Sequence, residues 1–250
     1  MRFMEFGTEN KEVLLLLHGG GLSWWNYRDA ARHLENKFHV VLPILDGHTG
    51  SDRAFTSIED NAEEIIAFVD SHFGGSVLMM GGLSLGGQVL LEILSRRKDI
   101  CRFAFIESAP VIPSRLTHAM IAPVFGSCYG LIRRKWFSRL QFQYLRIRNS
   151  LFDDYYLDTC GITKENMIAF LRANALYTIK DTLRETSAQV HIFLGGREIP
   201  SMAVSAKKIQ EVLPGSRLHR LPGLHHGEFS INHSAEYASL LKQIVRESNQ

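Results

Sequence analysis

The segment MMGGLSLGGQVLLEIL, residues 79–94, places a serine where covalent chemistry could start. Within it, Gly82-Leu83-Ser84-Leu85-Gly86 reads G-x-S-x-G, between an apolar run at Val77–Met80 and a helical pattern at Leu85–Arg97. A serine on a tight strand-to-helix turn takes strained backbone angles. Cβ atoms two residues to either side would collide there, and glycine removes them. The helix N-terminus behind Ser84 adds free N–H groups and the positive end of a dipole. Glycine and serine are common in turns, so the strand before and the helix after give the pattern its weight.

Three other stretches hold groups that could act with such a serine. LLLLHGGGLSWW, residues 14–25, runs four leucines into His18, three glycines and the pair Trp24 and Trp25. A buried strand needs no such ending to fold, but a pocket that aims backbone N–H groups at a ligand does. RLHRLPGLHHGEFSI, residues 217–231, sets His225 and His226 in a turn after the strand-like Arg217–Leu221. Adjacent side chains on one turn point apart, so one of the two faces Ser84. VHIFLGGREIP, residues 190–200, carries Glu198 three positions beyond Gly195, and FAFIESAP ends a strand-like run on Glu107. A serine needs a base, and the base needs a carboxylate to orient it and to stabilise its protonated form.

Through G-x-S-x-G and HGGG, the chain resembles the α/β-hydrolase fold superfamily, from about Val13 to the last helix. The resemblance implies Ser84 as nucleophile and His226 as base, since GLHHG puts Gly227 directly after His226; His225 is the alternative. It implies an oxyanion hole built from the backbone N–H of Leu85 and that of Gly20, or of its neighbour Gly21. In the family the acid follows the strand beyond the inserted lid, in the order serine, acid, histidine, which selects Glu198. Most relatives carry aspartate there, and this departure leaves Glu107 in competition. His18, Asp46 and His48, the last two in LDGHTGSD, are expected to be structural.

The elements that must position these groups are legible as a rhythm. Val13–Leu17, Val40–Ile44, Val77–Met80, Phe103–Ile106 and Val190–Leu194 are apolar runs of strand length, suited to a parallel sheet buried on both faces. Helical patterns at Asn26–Leu34, Ser57–His72 and Leu85–Arg97 alternate with them. Ser57 with Asp60 resembles a capping box. The expected fold is therefore α/β, a mostly parallel central sheet flanked by helices. The interval 110–188 shows no strand and many aromatics, and reads as a helical lid inserted into a core of 1–109 and 189–250.

Most of the lid aromatics are expected to form its own core, with Trp24, Trp25 and Trp136 offered to an apolar substrate pocket. RRKWFSRLQFQYLRIR, residues 133–148, holds six basic residues and no acidic one, with Ile132, Trp136, Leu140 and Tyr144 in an i, i+4 stripe. A solvated basic helix face is the first expectation. Contact with an anionic membrane surface and steering of an acidic substrate are the sharper ones.

Of 250 residues, 45% are hydrophobic and 22% charged, and the net charge is +2, which gives no general pull toward nucleic acid. Cys101, Cys128 and Cys160 have no metal-ligand or C-x-x-C spacing, so neither metal nor organic cofactor is expected. No apolar run reaches signal-peptide or membrane-span length, and a cytoplasmic location is the expectation. The reaction expected is hydrolysis of a carboxylic ester, thioester or lactone of a small-molecule substrate. C–C bond hydrolysis, aminopeptidase activity, or a slow-turnover ligand receptor keeping the same three residues are the alternatives.

Overall fold

Every position of Val13–Leu17 is buried, and its side chains alternate between two separate apolar clusters. Leu15 and Leu17 face one cluster while Leu14 and Leu16 face the other, so this strand is covered on both sides. It belongs to a seven-stranded sheet in the computed structural model, which describes residues 1–248. The strands are β1 (Phe3–Phe6), β2 (Val13–Leu17), β3 (His39–Pro43), β4 (Val77–Leu83), β5 (Cys101–Glu107), β6 (Gln189–Gly195) and β7 (Arg217–Leu221). Their order is β1-β3-β2-β4-β5-β6-β7, with β1 antiparallel to β3 and all other pairs parallel. β1 was not expected from the sequence. It is a four-residue edge strand with half-exposed and exposed positions, and so lacks the continuous apolar signature of the others.

Helix α1 (Arg28–Leu34) packs on one face of the sheet, while α2 (Ile58–Phe73) and α3 (Leu85–Arg96) pack on the other. The start of α2 is fixed as expected, with the Ser57 hydroxyl accepting the Asp60 N–H at 3.0 Å. Gly74 ends it in the left-handed conformation at φ 68.

Between β5 and β6 the chain forms α4 (Arg115–Cys128), α5 (Lys135–Tyr144), α6 (Phe152–Gly161) and α7 (Lys164–Leu176). Polar side chains anchor this insertion to the sheet-bearing part. Asn174 Nδ2 donates to Gln88 Oε1 at 2.9 Å, Trp25 Nε1 donates to Asp158 at 2.7 Å, and Arg28 pairs with Asp154 at 2.9 Å. The chain then continues through α8 (Pro200–Val212) on the α2 and α3 face, α9 (Glu228–Asn232), and α10 (Ser234–Glu247) beside α1. Among the described residues, no helix is long and apolar enough to cross a membrane.

The strand order creates the site. β2 lies between β3 and β4, so the chain leaves β2 toward one side and later crosses back to the other. The loops after β2 and β4 therefore part, opening a crevice at the carboxyl ends of the strands. Leu17 and Gly82 are paired across this point, and Leu83 is paired with Glu107 on the next strand.

Candidate active site

Ser84 sits at the end of β4 with φ 52 and ψ −110, a conformation disfavoured for any residue with a Cβ. Its N–H donates to the Glu107 carbonyl at 2.9 Å, and its carbonyl accepts from Gln88 N–H at 3.0 Å as α3 begins. The flanking glycines are required by contact. A Cβ on Gly82 would strike the carbonyl of Gly86, and one on Gly86 would strike the carbonyls of Leu17 and His18. The turn is thus pressed against the end of β2, which brings the HGGG loop beside the serine.

Each donor in that loop has a definite fate. Gly19 N–H donates to Asn26 Oδ1 at 3.3 Å, and Gly21 N–H donates to His48 Nε2 at 3.0 Å. Leu22 N–H returns to the Gly19 carbonyl at 3.1 Å. Among the described residues the N–H groups of Gly20 and Leu85 have no acceptor, and both residues border Ser84. Of the two glycines left open by the sequence, Gly20 is the one with a free donor.

His18 and His48 hold the loop as neutral rings. His18 Nε2 accepts Leu45 N–H at 3.1 Å, so its proton is on Nδ1, 2.9 Å from the Gly19 carbonyl. His48 Nε2 accepts from Gly21, which places its proton on Nδ1 toward the Asp46 carbonyl at 3.0 Å. Burial lowers the pKa of His18 to about 3, with help from neighbouring His48, and burial lowers that of His48 to about 4. His48 also stacks on Phe170 of α7, with ring centroids 4.6 Å apart. Both nitrogens of each ring are engaged by backbone groups, which leaves neither histidine free to take a proton from Ser84. This agrees with their expected structural role.

His226 and Glu198 meet across two loops. His226 Nδ1 donates to Glu198 Oε2 at 2.9 Å, and Glu198 Oε1 accepts from Gly195 N–H at 2.7 Å and from the Ser108 hydroxyl at 2.9 Å. The Glu198 side chain is only 2% exposed while that of His226 is 45% exposed, so a buried acid holds a ring that reaches open space. The loops are stitched together by Gly196 N–H to the Leu221 carbonyl at 2.8 Å and Arg197 N–H to the Leu224 carbonyl at 2.9 Å. Gly195 permits this approach, since a Cβ there would lie 2.6 Å from the Leu224 carbonyl. His225 turns elsewhere: its N–H is held by Glu228, and its ring borders a different cavity from the one containing Ser84.

Glu107 is buried beneath the site. Its Oε1 accepts Ser230 N–H at 3.3 Å, and its Oε2 has no partner among the described residues. Burial pushes its pKa up to about 7, opposed by the Ser230 hydrogen bonds. It lies close enough to the buried hydroxyls of Tyr27 and Tyr237 to help hold both in the neutral form. The structure therefore pairs His226 with Glu198, while Glu107 belongs to a buried polar cluster.

Ser108 was not anticipated. It has φ 53, donates to Glu198, and accepts Gly227 N–H at 3.4 Å, so one hydroxyl bridges the acid and the residue after His226. FIESAP gives no sign of this, because the contact depends on loops more than 80 residues further along the chain.

Ser84 and His226 both line a cavity of about 270 Å³, which Gly20 also borders. Its apolar wall comes from Phe125 of α4, Met167 and Phe170 of α7, Tyr155 of α6, and Ile231. The three tryptophans expected in this wall stand elsewhere. Trp25 is buried, with its indole N–H tied to Asp158; Trp24 stacks under Arg28; and Trp136 is 61% exposed. Ile132 is buried, but Trp136, Leu140 and Tyr144 face solvent, and the inward face of α5 is instead Ser138 and Phe142. Among the described residues, no cluster of three or more His, Cys, Asp or Glu side chains could hold a metal ion. The three cysteines are unpaired.

Residues 14–240 match the model of the Alpha/beta hydrolase family, and the chain belongs to that family. Solved structures share its fold at low identity. The enol-lactonase from Burkholderia xenovorans LB400 superposes with a TM-score of 0.82 at 13% identity, covering 98% of this chain and 96% of its own. An esterase from Exiguobacterium antarcticum gives 0.81 at 17%, covering 98% and 94%. MenH from S. aureus gives 0.78 at 17%, covering 100% and 98%. A search of curated protein sequences returned no match.

Proposed function

We propose that this protein is a serine hydrolase that cleaves a carboxylic ester, thioester or lactone through an acyl-enzyme. The observation that carries the reading is the Glu198–His226 hydrogen bond at the rim of an apolar cavity that Ser84 also lines. Ser84 Oγ attacks the substrate carbonyl while His226 Nε2 takes its proton. Glu198, bonded to Nδ1, holds the imidazole in the required tautomer and stabilises the imidazolium. The negative oxygen of the tetrahedral intermediate is received by the N–H groups of Gly20 and Leu85, the two donors without acceptors. His226 then protonates the departing alcohol or thiol oxygen or sulfur. It next takes a proton from water, which attacks the acyl-enzyme, and returns that proton to Ser84 Oγ as the acid is released.

The helical insertion acts as a lid, because α4, α6 and α7 all contribute apolar wall to the cavity. That wall suits an uncharged acyl group of small to medium size. A panel of p-nitrophenyl esters of increasing acyl length, with lactone and thioester controls, tests the reading. Multiple turnovers on short to medium esters, blocked by a fluorophosphonate attached to Ser84, are expected. Labelling of Ser84 without turnover on any member would instead favour a ligand receptor.

A further inference from the structure

A second and wider cavity, of about 700 Å³, shares only Leu145 and His226 with the cavity that holds Ser84. Arg146, from the turn after α5, and Arg197, from the loop after β6, both line it. Among the described residues neither guanidinium has a carboxylate or other acceptor, whereas Arg148, two positions on, is paired with Asp29. The one acid in the lining is Glu198, and both its oxygens are already engaged by Gly195, Ser108 and His226. The cavity thus carries two solvent-exposed guanidinium groups, neither paired with its single carboxylate, whose oxygens are taken up by other donors.

The backbone that carries these arginines is fixed relative to the histidine. Arg146 is one of three non-glycine residues with positive φ, at 59; the others are Ser84 and Ser108, both at the site. Such a conformation persists only where the surroundings impose it. Asn232, which closes α9 just after the histidine turn, donates to the Arg146 carbonyl at 2.7 Å and accepts Arg148 N–H at 3.0 Å. Arg197 is held by its N–H to the Leu224 carbonyl, on the same turn as His226.

With an acyl group in the apolar cavity, the departing half must lie where His226 can protonate it. That half then projects into the wider cavity. We infer that the leaving group of the substrate carries an anion, carboxylate or phosphate, held by Arg146 and Arg197. Guanidinium groups bind such oxyanions through paired N–H donors, and two of them on opposite loops select for charge rather than shape alone. The identity of the leaving half rests on the hydrolase reading; the anion site itself does not.

Two esters with one acyl group and one scissile bond test this: para-butyryloxybenzoate and the neutral para-butyryloxyacetophenone. Para-butyryloxyphenyl phosphate supplies the phosphate arm. The ratio of kcat/KM for anionic over neutral ester should fall about three- to tenfold in Arg146→Gln and in Arg197→Gln, chiefly through KM. Arg133→Gln, outside the cavity, should leave the ratio unchanged. In parallel, calorimetry measures binding of para-butyramidobenzoate, in which an amide replaces the ester. Its affinity should fall by a similar factor in both variants. If wild type hydrolyses neither ester yet binds the amide in an arginine-dependent way, the hydrolase reading fails and the anion site stands. Unchanged ratios and affinities in both variants, or no preference for either anion in wild type, overturn the inference.

Discussion

The Glu198 carboxylate stands 2.9 Å from Nδ1 of His226, and its other oxygen is held by Gly195 and Ser108. The acid can neither rotate away from the ring nor accept a different partner without losing two hydrogen bonds. Glu198→Gln should therefore lower kcat by roughly 10⁴ at neutral pH, because the amide no longer fixes the tautomer. Glu107→Gln, whose side chain bonds Ser230 rather than His226, should stay within about tenfold of wild type. Steady-state kinetics on both, with circular dichroism as the folding control, separates them. A large loss in Glu107→Gln alone would move the acid to the earlier strand.

The loop that presents Gly20 depends on His48 taking the neighbouring Gly21 N–H. His48→Phe keeps an aromatic ring against Phe170 but removes that acceptor. Misplacing the loop should reduce kcat by about 10- to 100-fold, with a smaller effect on KM, since the oxyanion forms after binding. Activity within twofold of wild type would show that Gly20 is positioned by something else.

Much of this arrangement could be read from residue types in sequence, and the exceptions have one cause. Apolar runs and the G-x-S-x-G turn are local, so the strands of the parallel sheet and Ser84 were visible. The bonds that fix the acid and the loop are not local. Ser108 meets Glu198, and His48 meets Gly21, only after the sheet has aligned the strand ends. The tryptophans failed for a related reason: Asp158 captures the Trp25 indole across 133 positions, a contact that no helical period encodes.

Glu107 should leave a signature in stability. Its pKa in the folded protein, about 7, exceeds the ordinary 4.5, so the folded chain keeps a proton that the unfolded chain releases between those values. Its contribution is fully present below pH 4.5 and is lost as pH rises through 7, by an amount on the order of 3 kcal/mol at most. His18 and His48 act oppositely, with folded values near 3 and 4 against 6.5, so their contribution is lost as pH falls below 6.5. Glu107→Gln removes only the first effect. Its unfolding free energy relative to wild type should thus increase between pH 4.5 and 7.5 in urea titrations. A constant difference would mean that Glu107 ionises normally in the fold.

The close approach behind Ser84 sets a packing test. Gly86→Ala places a Cβ against the backbone carbonyls of Leu17 and His18, which cannot move without shifting β2. It should cost on the order of 3 kcal/mol or more, or prevent folding. Gly130→Ala, where a Cβ meets nothing within 4 Å, should change stability by less than about 0.5 kcal/mol. Thermal unfolding of the pair distinguishes a constrained turn from general intolerance of the substitution.

If Ser84 is the nucleophile, its loss must abolish turnover, which is read as kcat of Ser84→Ala on the best ester of the p-nitrophenyl panel. The smaller side chain fits the same turn, so Tm should stay near wild type while kcat falls on the order of 10⁴- to 10⁶-fold. A folded Ser84→Ala protein with kcat within tenfold of wild type would mean that another group attacks the substrate.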